Sequence, residues 1–277
     1  MFSGDRDWEA RGPLRFVALG DSQTEGLDDG DDVVGYRGWA DRLAERIATA
    51  NPQLQYANLA VRGRLAHEVR AEQLAPALAL APDLVTVMAG VNDLIRPRFD
   101  AAAVGDHIEH VLGELAATGA AVVTFTYPDP GLRLLAGRLL TARTCDLNDR
   151  IRTAAHRCGA IVVDLSAHAV TSDPRLWSGD RLHLNALGHA RLAGAVSHAL
   201  EIPGSSADWS APLPARQPLS AQHRVAEELR WVAGFVGPWI VRRVLGRSSG
   251  DGRSAKRPTL GPVRAGPPAA GAANAEP

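Results

Sequence analysis

Apolar and polar positions between residues 15 and 200 alternate between two periods. Phe16-Val17-Ala18-Leu19 is a short apolar run that stops at Gly20, which predicts a buried strand. From Gly38 to Ile47 the apolar residues fall at 39, 40, 43, 44 and 47. That spacing is one face of a helix, and Asn51-Pro52 predicts its end. Leu54 to Leu59 reads as a second strand. His67 to Leu80 reads as a helix that Ala81-Pro82-Asp83 breaks. Leu84 to Met88 is a third strand, apolar enough to be covered on both faces. A helix is expected from Ala101 to Ala117 and a strand from Ala121 to Thr126. A helix then follows over Thr144 to Arg157, a fifth strand over Ala160 to Leu165, and a last helix over Asn185 to Ala199. Five strands alternating with helices predict a three-layer α/β/α domain around a parallel sheet. In such sheets ligands bind outside the carboxyl ends of the strands.

The pattern changes near residue 202. Residues 1–14 are a lead-in and 15–202 the α/β domain. Residues 203–220 are rich in Pro, Ser and Ala and read as a linker. Residues 221–246 form an amphipathic helical extension, with Val225, Leu229, Val232, Val236 and Trp239 near one face and Gly237-Pro238 interrupting it. Residues 247–277 carry Gly, Pro, Ala and Arg without an apolar period, which predicts a disordered basic tail.

The chain has 277 residues and a net charge of -1, with 45% hydrophobic residues, ordinary values for a globular protein. Residues 201–277 hold ten Lys+Arg and six Asp+Glu, so +4, leaving 20 against 25, so -5, for the first 200. An acidic main domain is a poor nucleic-acid binder. The aromatic and basic stretch 221–247 suits weak contact with a membrane surface. Packing back onto the domain or onto a second subunit is the favoured reading. No run is long and apolar enough for a transmembrane helix. The first residues lack the apolar core of a signal peptide, so a cytoplasmic location is expected. Cys145 and Cys158 are expected to be buried free thiols. No Cys/His cluster has zinc spacing, and His107 and His110 read as a solvated helix surface, so neither a metal nor another cofactor is expected.

Four polar stretches follow the strands, and the topology should bring them to one sheet edge. They are Gly20-Asp21-Ser22, Asn58 through Gly63, Gly90-Val91-Asn92-Asp93, and Asp180-Arg181-Leu182-His183. A serine hydroxyl attacks well only if a base removes its proton. His183 can do so, and Asp180, three residues earlier, can hold the other ring nitrogen. Attack on an ester carbonyl develops an oxyanion. The backbone N–H groups of Ser22 and Gly63 and the side-chain amide of Asn92 are candidate donors to it. Each residue alone has a plainer reading. Ser22 could cap a turn, His183 could sit on the surface, and Asn92 could cap the next segment. Asp21 is expected to hold the turn through backbone N–H groups and not to do chemistry.

Taken together and in order, these four blocks resemble those of the SGNH hydrolases, the GDSL-type esterases and lipases. The resemblance covers residues 15–200. The fourth residue of the first block is Gln23 where leucine is common, a variable position. The serine does not sit in a Gly-x-Ser-x-Gly elbow. The resemblance implies a flavodoxin-like sheet of order 2-1-3-4-5. It implies Ser22 as nucleophile, His183 as base, Asp180 as its orienter, and Ser22, Gly63 and Asn92 as the oxyanion hole. The expected reaction is hydrolysis of a small-molecule carboxylic ester, such as a short-chain acyl ester or a lysolipid, through an acyl-enzyme. Transfer of the acyl group to a sugar or alcohol uses the same machinery. A non-catalytic ligand-binding domain is the alternative from another class. Residues 127–144, with leucines at 132, 134, 135, 139 and 140, read equally as a lid or acyl-chain pocket and as a helix packed on the core. Acyl and alcohol specificity and the oligomeric state stay open.

Overall fold

The computed structural model describes residues 12–130, 137–215, 229–236 and 250–265. The first strand, β1 (Arg15–Gly20), feeds the one-turn helix α1 (Ser22–Glu25). A small hairpin follows, β2 (Gly30–Asp31) and β3 (Gly35–Tyr36). Then come α2 (Trp39–Ala50), β4 (Gln55–Asn58), α3 (Ala66–Ala79), β5 (Leu84–Met88) and the short α4 (Val91–Leu94). The series continues with α5 (Ala101–Ala117), β6 (Ala121–Phe125), α6 (Gly137–Cys158), β7 (Ile161–Val163) and α7 (Ala186–Ala199).

The sheet runs β7-β6-β5-β1-β4 with every neighbouring pair parallel. In order of appearance this is the expected 2-1-3-4-5. Burial on both faces explains the unbroken apolar strands: every residue of β5 and β6 is buried. Trp39 and Phe125 meet edge to face at 4.9 Å and fix α2 across the sheet. His189 of α7 accepts the Trp39 N–H at 3.2 Å through Nδ1, and its Nε2 donates to the Leu27 carbonyl at 3.1 Å. Burial holds this imidazole neutral, pushed down to about 4.

Three expectations are corrected. The sheet has six strands, because β8 (Arg257–Pro262) pairs antiparallel with β4. Residues 257–262 are therefore ordered sheet and not part of a disordered tail. Arg257 anchors this strand, donating to the Tyr56 carbonyl at 2.9 Å and lying 5.2 Å from the Tyr56 ring. A strand with little apolar character is what a half-exposed edge position tolerates. The described part of the linker is also docked. Trp209 packs edge to face on His168 at 4.5 Å, and Arg191 of α7 donates to the carbonyls of Trp209 and Ala211. Finally, the cysteines are free but neither is buried, since Cys145 is exposed and Cys158 half-buried on α6. Most of 221–246 lies outside the described residues. Within it, Val232–Val236 forms a turn of π-helix. No helix among the described residues is long and apolar enough to cross a membrane.

Candidate active site

The site lies at the carboxyl ends of β1, β4 and β5. Gly20 ends β1 with a φ of 150°. A Cβ there would stand 2.4 Å from the Met88 carbonyl oxygen, so only glycine lets the chain turn this close to β5. Gln73 of α3 locks the same residue from the other side. Its Oε1 accepts the Gly20 N–H and its Nε2 donates to the Gly20 carbonyl, both at 2.8 Å. Asp21 then caps α1, its carboxylate accepting the Gln23 N–H at 3.1 Å. Ser22 is thereby delivered at the first position of the turn, 4% exposed.

His183 arrives from a tight loop between β7 and α7. Ser178 N–H bonds the His183 carbonyl at 2.8 Å, and Arg181 takes a φ of 61° at the tip. Inside this loop one Asp180 oxygen accepts from the Ser178 hydroxyl at 2.6 Å, Leu182 N–H at 2.9 Å and His183 N–H at 3.0 Å. The other meets His183 Nδ1 at 2.5 Å, and His183 Nε2 reaches Ser22 Oγ at 2.8 Å. Ser22, His183 and Asp180 therefore form one hydrogen-bonded chain across 161 residues of sequence. Burial would push the Asp180 carboxyl up, but its bonds to His183 and Ser178 outweigh this and hold it well below the usual carboxylate range. Burial would likewise push the His183 imidazole down. The hydrogen bond and charge of Asp180, with Asp28 and Asp21 behind it, outweigh burial and raise it.

Gly63 sits in a turn with a φ of 80°, and its N–H has no hydrogen-bond partner among the described residues. Asn92 stands on the first turn after β5, beside the Ser22 turn. Its amide donates to Asp21 Oδ2 and to the Arg64 carbonyl, both at 3.1 Å. The four sequence blocks thus converge, and all five predicted residues fall in one place. Burial pushes the Asp21 carboxyl up to about 7. Asp93 supports the loop, accepting the Ala66 N–H at 3.0 Å.

Several contributors have no signal in the motif spacing. Gln23 clasps the strand on both sides of His183, donating to the Leu182 carbonyl at 2.7 Å and accepting the Leu184 N–H at 3.4 Å. Glu25 and Arg62 form a buried ion pair at the far end of α1. Asp28, at a left-handed φ of 67°, brings a second carboxylate to 4.0 Å from His183 Nδ1. Asp28, Asp180 and His183 are the three potential metal ligands that cluster among the described residues. Within this cluster His183 Nδ1 is bonded to Asp180 at 2.5 Å, and Asp28 stands farther off.

Next to Gln23 and Leu182 lies an apolar pocket, part of it open to solvent. Gln23 and Leu182, the sequence neighbours of Ser22 and His183, are among its lining residues, while Ser22, Gly63, Asn92, Asp180 and His183 are not. Met88, Ile95, Leu140 and Val170 line its walls. Leu140 is the one leucine of the predicted pocket or lid whose side chain is described; those of 132, 134, 135 and 139 lie outside the described residues.

A sequence model of the GDSL-like Lipase/Acylhydrolase family matches residues 18–191. No curated protein matches the chain. Among solved structures, the chain is similar to LAE5, an alpha/beta hydrolase enzyme from the metagenome of Lake Arreo, Spain. The identity is 22% and the TM-score 0.60, over 72% of this chain and 100% of that one. It is also similar to a variant of Axe2, an acetyl-xylooligosaccharide esterase from Geobacillus stearothermophilus. That identity is 16% and the TM-score 0.60, over 70% and 97% of the chains. The esterase EstA from Pseudoalteromonas sp. matches at 15% identity and a TM-score of 0.55, over 68% and 96%. These identities speak for the fold, and the family match, which spans more than half of the sequence, speaks for descent: the chain belongs to the GDSL-like lipase/acylhydrolase family of carboxylic ester hydrolases.

Proposed function

We propose that the chain hydrolyses esters of apolar acyl groups through an acyl-enzyme on Ser22. The observation that carries this reading is the unbroken chain from Ser22 Oγ through His183 to Asp180, at 2.8 and 2.5 Å. Ser22 Oγ attacks the ester carbonyl carbon as its proton passes to His183 Nε2. The carbonyl oxygen becomes an oxyanion, held by the N–H groups of Ser22 and Gly63 and by the Asn92 amide. Because both Asn92 protons already have acceptors, the oxyanion takes one of them from Asp21 or Arg64. Collapse of the tetrahedral intermediate expels the alcohol, which takes the proton from His183. Water then attacks the acyl-enzyme by the same route, and the acid leaves. Asp180 keeps its negative charge throughout and stabilises the imidazolium.

The cavity supports the acyl preference. Each buried methylene contributes about 0.8 kcal/mol, or about fourfold in kcat/KM. The activity on p-nitrophenyl esters should therefore climb from acetate to longer chains until the cavity is filled. Val170→Trp, which narrows the wall, should move the optimum to shorter chains. An optimum at acetate that Val170→Trp leaves in place would overturn the acyl assignment but not the hydrolase.

The pH profile follows from His183. The protonated ring cannot accept the Ser22 proton, so kcat/KM should rise with pH as the ring loses its proton. The folded protein raises this group above its ordinary 6.5, so the midpoint of the acidic limb should lie above 6.5. Asp180→Asn removes the principal raising influence and should lower that midpoint, along with the rate. A wild-type limb at or below 6.5 contradicts the assignment.

A further inference from the structure

The family match ends at residue 191, yet three side chains beyond it, Trp231, Phe235 and Lys256, reach the catalytic segments. Trp231 donates its indole N–H to the Asp180 carbonyl at 2.9 Å. The Arg181 guanidinium lies 4.8 Å from the same indole ring. The Phe235 ring comes within 3.6 Å of where a Cβ on Gly179 would stand. All three contacts fall on Gly179-Asp180-Arg181, the outer tip of the loop that carries the acid and the base.

A second set of contacts reaches the Ser22 turn. Lys256, just before β8, donates its ammonium to the Glu25 carbonyl at 2.5 Å, the Tyr36 carbonyl at 2.8 Å and an Asp41 carboxylate oxygen at 2.5 Å. Glu25 closes α1, the four-residue turn that begins with Ser22. Arg253 supports the same edge, bonding Asp32 at 2.8 and 3.0 Å. Pairing of β8 with β4 holds Lys256 in place.

We infer that the C-terminal extension completes the active site, with Trp231 positioning the Asp180–His183 loop and Lys256 positioning the Ser22 turn. The nucleophile and the base come from segments 161 residues apart, joined directly by the 2.8 Å bond and the Gln23 clasp. The loop with a φ of 61° at Arg181 and the four-residue helix are both short elements whose position depends on what packs against them. Displacements of about 1 Å cost about 10²-fold in rate, so contacts that fix either element bear on turnover. The extension touches each at its outer end, away from the reacting atoms. Trp231 and Lys256 are therefore positioning residues, since neither contacts the reacting groups.

This inference rests on the proposed hydrolysis, and its test has one readout that does not need turnover. In the full chain, Trp231→Phe keeps a ring for Arg181 but loses the bond to Asp180. It should lower kcat by about fivefold to tenfold with KM little changed. Lys256→Met should do the same, and Lys256→Arg should recover most of that loss. The His183 imidazole, titrated by NMR, should lose its proton at lower pH in Trp231→Phe than in wild type, because Asp180 is held less well. Thermal melts report the purely structural effect of each change. Unchanged kcat and unchanged His183 titration, with only a lowered melting temperature, would overturn the inference. If wild type hydrolyses no ester, the hydrolase reading fails, while the His183 titration still decides the role of Trp231.

Discussion

Ser22→Ala should lower ester turnover by about 10⁴-fold or more, the loss that follows when the nucleophile of such a chain is removed. The fold should survive, because the hydroxyl is a small part of a turn already fixed by other groups. Gly20 is gripped by Gln73, and Asp21 caps α1 through the Gln23 N–H. The measurement is hydrolysis of a p-nitrophenyl ester, with circular dichroism and a thermal melt alongside. A folded Ser22→Ala protein that retains a tenth of wild-type turnover would remove Ser22 from the reaction. The variant also tests the acyl-enzyme. Wild type mixed with excess ester should gain one acyl mass on the peptide containing Ser22, and the variant should gain none.

The largest expected effect on stability belongs to Arg62. Its side chain is 6% exposed and its partner Glu25 9%. The Arg62 backbone N–H also donates to Glu25 at 2.8 Å, and its Nε at 3.0 Å. Arg62→Met leaves the Glu25 carboxylate buried without its counter-charge, which typically costs about 3–5 kcal/mol. In a domain of this size that is a fall of about 6–20 °C in Tm. The double variant Glu25→Gln, Arg62→Met removes both charges, and should regain much of the loss because apolar or neutral replacements of buried pairs are often tolerated. Arg62→Met alone melting within 2 °C of wild type would mean that the pair is more hydrated than its exposure shows. Because Glu25 closes the Ser22 turn and Arg62 precedes Gly63, the single variant should also slow turnover at temperatures where it is folded.

The parallel core was legible because its strands are buried on both faces, which makes them continuous apolar runs. Leu84 to Met88 and Ala121 to Phe125 stand where the pattern places them. The motif residues were legible because chemistry restricts their types: a hydroxyl, an imidazole and a carboxylate have few substitutes. Supports such as Gln73 and Gln23 were not, since an amide that bonds backbone leaves no periodic trace and acts across 53 or 159 residues. The strand β8 was missed for a different reason. Edge strands need no alternating pattern, and Arg257-Pro258-Thr259-Leu260-Gly261-Pro262 reads as loop until Tyr56 and Gly261 are seen to pair. Within the described residues α6 already runs at Gly137, ahead of the expected start at Thr144, and its Asn148 and Arg143 side chains tie it to the segments after β6 and α4. Asn148 bonds Tyr127 at 2.8 Å twice, and Arg143 bonds the Leu94 and Arg96 carbonyls.

The register that pairs Asn58 with Arg257 also sets an order of events during synthesis. The five parallel strands are complete once β7 has left the ribosome, but the outer edge of β4 keeps unpaired backbone groups until residues 257–262 follow. Contacts this far apart in sequence form late, and domains fold from the N-terminal side as the chain emerges. Nascent chains stalled between β7 and β8 should therefore expose the β4 edge, and pairing of β8 replaces it with an edge strand that carries Arg257, Pro258 and Pro262, residues that discourage further pairing.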